Sequence, residues 1–477
     1  MLRLFGHNSS LKWLLCGFGI LAAFLAGLSL FWMDSLVPLV LLSCAFLGGL
    51  ILLRKPIYGL YAVLVQLAFI GDSAGVTLLE MIAFVLLLIV LGQAMLSLAR
   101  APDLWQRGRP WLTPLLVFLG WCVLNVAIAL LEGVLLQSWL REFFPLLNYG
   151  LMLVAYIRIR NREDFKTLTV IVVGIVFLVA TRDFLYSLRF ALGMPVLPNL
   201  YAFLVNLLST RGGVLFALLP VVMGVTLLYQ SRHMLMWIVS ISLIVTGGTV
   251  TLLGGTRTAW VGTLVALVVW TLLRVRKPGK IRLQSLIATG VSVALLLVLL
   301  ALVSSGMGLG GGFLRRVPLA RGVSLGDRVS MMSPEVLARD WSVIGRMNEI
   351  EAALREFLYS PLLGRGLGYQ LTSLAHPWEA RMMTRGYLHN AFVWMLLKLG
   401  IIGVALFAWL MVALGSRLWR VRDRFGSSES QFIVALLVLL VVMNLVSLTT
   451  PYVNDTSTVL VLSLLVGGAF GAAREYE

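Results

Sequence analysis

Apolar runs of about 20 residues recur along the whole chain and predict its fold class. A helix needs about 20 apolar residues to cross the hydrocarbon core, and only helices satisfy every backbone group in lipid without closing a barrel. We predict about fourteen spans from these runs. They lie at 13–33, 36–53, 57–70, 75–98, 111–131, 142–157, 167–181, 213–230, 234–253, 258–274, 285–304, 388–413, 431–448 and 457–472. The sequence therefore predicts an all-α polytopic membrane protein with about 12–14 transmembrane helices.

The first run has an alternative interpretation as a secretory signal peptide, because Arg3 and Lys12 precede it. The apolar part of a signal peptide spans only about 7–15 residues, which is shorter than the run at 13–33. A second apolar run follows at once, so we interpret the first as a retained helix.

Composition supports the membrane assignment and removes one function class. Hydrophobic residues make up 60% of the chain and charged residues only 12%, whereas soluble domains have about 25% charged residues. The formal net charge of +17 would suggest nucleic acid in a soluble protein, but here the position of the charges in loops explains it. The three cysteines, Cys16, Cys44 and Cys122, all fall inside apolar runs, so neither a disulfide framework nor a metal-ligand spacing is predicted.

The basic residues predict the orientation in the membrane. Of the 38 lysines and arginines, 22 lie in loops on one side of the predicted topology. The short loops near 34, 72, 132 and 449–456 on the other side carry none. Because lysine and arginine concentrate on the cytoplasmic side, both termini are expected in the cytoplasm.

The hydropathy pattern divides the chain into three parts. Residues 1–304 hold about eleven helices and an outer loop at 182–212, residues 305–387 form a large outer loop, and residues 388–477 hold about three helices. The large loop contains ten arginines, no lysine and seven acids. A helix start is predicted at residues 333–335 (SPE), and a second helix, ended at residues 360–361 (SP), carries an apolar stripe. The stripe comprises Ile350, Leu354, Phe357 and Leu358. We therefore expect a small folded helical cap over the membrane.

Three residues at predicted outer helix starts carry the candidate chemistry: Arg211, Arg257 and His389. Helix N-termini favour anions, and arginine adds a planar fork that matches phosphate oxygens. The three together predict a site for a lipid-linked phosphate and a proton transfer. The alternative for the arginines is anchoring at the membrane interface or pairing with an acid such as Asp183 or Asp455.

His389 is the candidate general base. A helix N-terminus disfavours the imidazolium, so the ring should remain neutral and able to accept a proton. Its alternative role is that of a helix-capping or interfacial histidine. His376, which precedes Pro377 in the outer loop, is a second candidate, whereas His7 and His233 are cytoplasmic in this topology.

Other polar residues extend the list of candidates. Lys398 lies well inside a predicted span, where an ionisable group is a functional or paired-charge hypothesis, and Glu80 is a conceivable partner. Asn390, beside the histidine, and Arg346, in the outer loop, are further candidates for the site.

A glycine-rich motif at residues 364–368 (GRGLG) invites comparison with nucleotide-binding loops. Such a loop follows a strand and opens a helix, and neither is predicted here. The motif also faces away from cytoplasmic nucleotides. We interpret it as a turn that re-enters the membrane interface.

Four motifs in this order resemble the O-antigen ligase and polymerase superfamily of bacterial membrane glycosyltransferases. The resemblance covers about residues 205–410, and the first 200 residues add only a compatible hydropathy pattern. The motifs are residues 210–213 (TRGG), 255–260 (GTRTAW), 360–368 (SPLLGRGLG) and 388–392 (LHNAF), the last running into 399–403 (LGIIG).

This resemblance implies a GT-C-like fold in the bacterial inner membrane, with an active site on the periplasmic face. The donor would be a glycan on undecaprenyl diphosphate, and the acceptor would be lipid A–core in a ligase or another lipid-linked repeat in a polymerase. Neither a metal nor another cofactor is expected, and no metal-ligand cluster is seen in the sequence. Arg211 and Arg257 would hold the diphosphate, and His389 would deprotonate or orient the acceptor hydroxyl. Partners are the bilayer and these substrates, together with a possible chain-length regulator or a second copy of the chain, and no nucleic acid.

One position departs from the family pattern, because many relatives have an acid where this chain has Lys398. We favour a ligase, and a polymerase of O-antigen or exopolysaccharide is the main alternative. A glycolipid flippase or another transporter is a further alternative, but transporters usually place ionisable groups at the midplane in repeated halves, and we find no repeat. A peptidoglycan polymerase and a non-catalytic assembly partner also remain open.

Overall fold

The computed structural model describes residues 78–192, 199, 214–230, 234–253, 257–273, 290, 341–374 and 382–477. The predicted spans at 13–33, 36–53, 57–70 and 285–304 and the helix start at 333–335 lie outside these residues. The helices are α1 (Leu78–Arg100), α2 (Pro102–Leu131), α3 (Leu136–Leu147), α4 (Leu151–Arg158), α5 (Arg162–Leu192), α6 (Val214–Gln230), α7 (Met234–Leu253), α8 (Arg257–Leu273), α9 (Trp341–Phe357), α10 (Ala391–Val421), α11 (Ser427–Val446) and α12 (Thr456–Ala473). The strands are β1 (Leu371–Leu374) and β2 (Met382–Arg385).

Five helices in the described part are long and apolar enough to cross a membrane. Their spanning segments are Pro102–Leu131, Arg162–Tyr186, Ala391–Arg424, Glu429–Val446 and Thr456–Tyr476. Four shorter apolar helices accompany them, in α1, α6, α7 and α8. The predicted class, an all-α polytopic membrane protein, is therefore confirmed. The antiparallel ribbon β1–β2 is an addition that the hydropathy pattern did not predict.

The predicted sixth span, at 142–157, is wrong as a single membrane helix. The chain there forms α3, a 3-10 turn at Asn148–Gly150 and then α4. Pro145 lacks a backbone N–H, and Gly150 follows one turn later, so the chain tightens rather than continuing as a regular helix. The α3 helix is amphipathic and carries Glu142 into the protein interior.

The α12 helix lies at the centre of the described bundle. Of its most apolar 18-residue window, 89% is buried, and it packs against α3, α4, α5, α10 and α11. Glycines allow its close approach to α4, because a Cβ at Gly467 would lie 2.2 Å from the Met152 carbonyl oxygen and one at Gly471 would lie 2.4 Å from that of Ile159. Asp455 caps the start of α12 by accepting a hydrogen bond from the Thr458 amide.

The α10 helix is broken at Gly400, inside the span that the sequence predicts as continuous. The Gly400 backbone has φ 68° and ψ −174°, a conformation that only glycine adopts without strain. A break of this kind frees carbonyl groups before the glycine and amides after it, and these groups need partners.

The glycine-rich turn after α9 supplies those partners. The Arg365 amide donates to the Leu397 carbonyl at 2.7 Å and the Gly366 amide to the Lys398 carbonyl at 3.0 Å. In the other direction, the Ile401 amide donates to the Pro361 carbonyl at 2.9 Å. The turn therefore replaces the missing helical hydrogen bonds and is fixed against α10.

The α9 helix and the ribbon lie over the start of α10. The structure agrees with the predicted second helix of the outer loop, since α9 ends at Phe357, just before Ser360. Both α10 and β1 pack against α9. Leu371, the first residue of β1, pairs with Arg385, the last residue of β2. Arg385 is four residues before His389 in the chain.

Replacing Gly400 with alanine should destabilise the protein. An added Cβ would lie 2.1 Å from the Leu362 carbonyl oxygen, and the positive φ would be strained, at a cost of about 1–3 kcal/mol or more. Gly415→Ala, in the same helix, is the control, because its Cβ would have only one neighbour, at 4.0 Å. Thermal unfolding in detergent should show a loss for Gly400→Ala and none for Gly415→Ala. Equal midpoints would contradict the close approach.

Candidate functional site

His389 lies between the ribbon and the start of α10, and the next residue caps the helix. The Asn390 side chain accepts hydrogen bonds from the amides of Phe392 at 3.0 Å and Val393 at 3.1 Å. Asn390 therefore satisfies two free amides of the first turn, which is the usual work of an N-cap asparagine. The helix-capping role considered for the histidine belongs to Asn390, so the His389 imidazole is not used for capping.

The imidazole of His389 is held by Glu349 of α9. Its Nδ1 lies 2.8 Å from Glu349 Oε2, and the same oxygen accepts from the His389 backbone amide at 3.3 Å. The Glu349 side chain is only 6% exposed, whereas that of His389 is 30% exposed. A carboxylate in this position favours the tautomer with a proton on Nδ1 and leaves Nε2 to accept a proton. The Tyr387 ring packs edge-on against the imidazole, with ring centroids 5.2 Å apart.

The sequence analysis did not identify Glu349. The spacing along α9 contained a usable signal. Ala353 and Phe357 follow Glu349 by one turn and by two turns, so Glu349 lies on the edge of the apolar stripe of α9. An acid in line with apolar positions must be paired when the helix packs. Nothing in the pattern, however, distinguished His389 as the partner.

The starts of α8 and α10 meet at the turn that follows α11. The Thr258 hydroxyl, one residue after Arg257, lies 2.9 Å from the Thr449 hydroxyl. Two residues earlier in that turn, the Ser447 carbonyl accepts from the Ala391 amide at 2.9 Å. Two of the three predicted helix starts are thus brought together at the same end of the bundle.

Other predicted residues lie outside what the structure describes. Arg211 and His376 are not among the described residues, and for Arg257 and Glu80 only the backbone is described.

Arg346 lies one turn before Glu349 on the same face of α9. Within the described part of the chain, the Nε of Arg346 is buried without a hydrogen-bond partner.

Lys398 pairs with Glu142 of α3. Its ammonium group donates to the Glu142 carboxylate and to the Gly386 carbonyl at 2.6 Å, and the Trp394 ring lies 5.5 Å away. The side chain is only 1% exposed. A buried charge needs such a partner, and no local pattern in the sequence indicates an acid 256 positions away.

The glycine-rich motif has no amides to offer a nucleotide phosphate. In addition to the two amides bonded to α10, the Leu367 amide donates to Asn125 Oδ1 at 2.7 Å and the Gly368 amide to Glu142 Oε2 at 2.7 Å. Asn125 of α2, fully buried, also donates to the Lys398 carbonyl at 3.1 Å. These amides all donate to acceptors within the protein, so the motif attaches the turn to α2, α3 and α10.

Arg365 is engaged by two carboxylates. It donates to Glu356 Oε2 at 2.9 Å and to Glu132 Oε2 at 2.8 Å, and its guanidinium lies over the rings of Tyr359 and Tyr369. The hydrogen bond to Glu356, followed by that to Glu132, raises the pKa of Arg365 above its usual range. The guanidinium therefore ties the turn to α2 and α9.

These observations define the class of protein. It is a polytopic helical membrane protein with a polar site where helix starts meet at one end of the bundle. In the part of the chain that the structure describes, no group of three or more histidine, cysteine, aspartate or glutamate residues is arranged as a metal site.

Residues 242–408 match the family model described as O-antigen ligase. The match contains Arg257, Glu349, His389 and Lys398, and it confirms the resemblance that the motifs predict. This part of the chain is therefore similar to the O-antigen ligase superfamily, and the match supports an activity of the ligase or polymerase type in general. The comparison with curated proteins gives no match.

Replacing Asn125 with alanine should loosen the anchor between α2 and the glycine-rich turn. The buried Leu367 amide would lose its acceptor, at a cost of about 1–3 kcal/mol in the free energy of unfolding. Asn444→Ala, at a half-buried position, is the control, because in the described part of the chain its side-chain amide donates only to the Leu440 carbonyl of its own helix. Thermal unfolding in detergent should show a clearly larger loss for Asn125→Ala, and an equal loss in both variants would argue against the anchor.

Proposed function

We propose that the protein transfers a glycan from undecaprenyl diphosphate to lipid A–core at the periplasmic face of the bacterial inner membrane. The observation that carries this proposal is the 2.8 Å contact between His389 Nδ1 and Glu349 at the joined starts of α8 and α10. It supplies an oriented imidazole beside a pair of helix N-termini. The family match supports a transfer of the ligase or polymerase type in general.

In the proposed reaction, His389 acts as the general base. Its Nε2 takes the proton of an acceptor hydroxyl as the oxygen forms a bond to the anomeric carbon of the donor sugar. The bond from that carbon to the diphosphate oxygen breaks, and the diphosphate leaves with the bonding electrons. Glu349 stabilises the positive charge that appears on the imidazole, as the carboxylate does in other carboxylate–histidine pairs.

The leaving diphosphate needs positive charge at the same end of the bundle. Arg257 stands at the N-terminus of α8, where the helix dipole and free amides already favour an anion. Arg211 would be its companion, just before α6. Arginine forks directed at phosphate oxygens stabilise negative charge that develops in the transition state.

The pairing of Lys398 with Glu142 gives this residue a structural role, so its presence inside a span does not by itself indicate a transport pathway. Lys398 was the residue at depth that best suited a transporter, since pumps and permeases use intramembrane charges as ion or proton sites. Its ammonium group is held by Glu142 and the Gly386 carbonyl instead. The polar groups of the described site lie at the helix starts, where a lipid-linked substrate would present its diphosphate.

Replacing His389 with alanine should lower the transfer rate by about 10²-fold or more, because general base catalysis typically contributes that much. The assay combines purified protein, an undecaprenyl-diphosphate glycan from the same host and lipid A–core, in the presence of chelator. Arg257→Ala should also lose activity, with Arg355→Ala as its control, because Arg355 is exposed and pairs with Glu351. Wild-type rates in His389→Ala would remove the base assignment.

Replacing Glu349 with glutamine should lower kcat by about 10- to 100-fold. A hydrogen bond to a charged group is worth about 1.5–3 kcal/mol, and 1.4 kcal/mol corresponds to a tenfold rate change. Glu351→Gln is the matched control on the same helix, because Glu351 is exposed and bonds only to Arg355 in the described part of the chain. Equal activity in the two variants would show that Glu349 does not assist the histidine.

The same assay separates the ligase from its alternatives. Glycan on lipid A–core identifies a ligase, whereas longer undecaprenyl-linked glycans formed without lipid A–core identify a polymerase. Donor movement across vesicles without any transfer would contradict the proposal and favour a transporter.

A further inference from the structure

The buried pair of Glu142 and Lys398 has no role in the proposed chemistry, yet it joins more of the structure than a simple ion pair would. Lys398 Nζ donates to Glu142 Oε1 and also to the Gly386 carbonyl at 2.6 Å. The other carboxylate oxygen of Glu142 accepts from the Gly368 amide at 2.7 Å. Each member of the pair thus holds one backbone group in addition to its partner.

These two backbone groups flank the β1–β2 ribbon. Gly368 lies three residues before β1, and Gly386 follows β2 directly. Because Leu371 pairs with Arg385, both glycines are at the open end of the antiparallel ribbon. The pair therefore attaches the segments before β1 and after β2, at the open end of the ribbon, to helices α3 and α10.

The same ion pair also fixes one end of the segment that contains His389. The histidine lies three residues beyond Gly386, and two residues before Ala391, whose amide is held by the Ser447 carbonyl at 2.9 Å. The segment 386–391 is consequently fixed at both ends. Lys398 provides the fixation on the ribbon side, and Ser447 provides it on the helix side.

We propose that Glu142 and Lys398 are positioning residues that clasp the base of the ribbon and thereby set the location of His389. This inference rests on the proposed function for its catalytic consequence, but the clasp itself is a structural claim. Neither side chain touches substrate in this account. A misplacement of a catalytic group by about 1 Å is enough to lower a rate by roughly 10²-fold.

The clasp depends on which member of the pair is the hydrogen-bond donor and which is the acceptor. Position 398 must donate to a carbonyl, and position 142 must accept from an amide. Exchanging the charges, in the double variant Glu142→Lys with Lys398→Glu, keeps an ion pair but sets an acceptor against the Gly386 carbonyl. A pair that worked only through mutual attraction would tolerate this exchange, and a clasp would not.

The first test is hydrogen exchange, which does not depend on activity. Peptides covering residues 364–374 and 382–390 should lose protection in Lys398→Met, in the milder Glu142→Gln and in the charge-exchanged double variant. The matched control is Glu429→Gln, which removes a buried carboxylate paired with Arg162. Glu429 lies in the first turn of α11, at the opposite end of that helix from Ser447, which bonds to Ala391. Unchanged protection of the ribbon in Lys398→Met and Glu142→Gln would overturn the clasp, whether or not the protein transfers glycans.

The second test is steady-state transfer by the folded fraction of each variant. Lys398→Met should lower kcat by about 10- to 100-fold while KM stays near the wild-type value, because a displaced base impairs the transition state more than substrate binding. Glu429→Gln should retain its kcat even if its thermal midpoint falls. Restoration of ribbon protection and kcat by charge exchange would show that attraction alone matters and would refute the proposal. If the wild type transfers nothing, the proposed function fails, and the exchange experiment still decides the clasp.

Discussion

A helix that crosses a membrane has no water along most of its length, so each backbone amide and carbonyl must find a partner inside the protein. The break at Gly400 opens such groups in the middle of α10, and the turn after α9 closes them with its own amides and carbonyls. Gly364 and Gly366 have positive φ, and a Cβ at Gly364 would lie 2.5 Å from the Lys398 carbonyl carbon. The turn that follows α9 is therefore bonded into the break of α10, whereas α9 packs against the start of that helix.

This insertion determines where the candidate site can form. The turn holds the end of α9 beside α10, and Glu349, in the middle of α9, lies within reach of His389. The Asn390 cap and the Ser447 carbonyl fix the histidine from the helix side. The α11 turn that provides Ser447 also contacts the start of α8 through Thr449. A small number of hydrogen bonds thus brings together segments that are far apart in the chain.

The sequence predicted many of the helices because hydropathy depends on residues that are close together in the chain. The span at 234–253 agrees with α7 at both ends, and the cap helix with its stop before Ser360 agrees with α9. The sixth span failed because α3 is amphipathic, with Trp139, Phe143, Leu146 and Leu147 buried and Gln137 and Arg141 exposed. An average over apolar residues does not separate such a helix from one that crosses the membrane. The break in α10 was also missed, since a glycine within an apolar run is common in membrane helices.

By itself, the sequence determined the membrane class, the approximate helices, the family motifs and the residue types that suit diphosphate and proton chemistry. Those properties depend on composition and on short ordered patterns. Only the tertiary structure decided that Glu349 faces His389, that Lys398 is bonded to Glu142, and that the glycine-rich motif repairs a helix break. The partners in these contacts are 40 and 256 positions apart in the two ion pairs, so no local pattern encodes them. Burial forces each polar group to find a partner, and the packing of the helices selects which one.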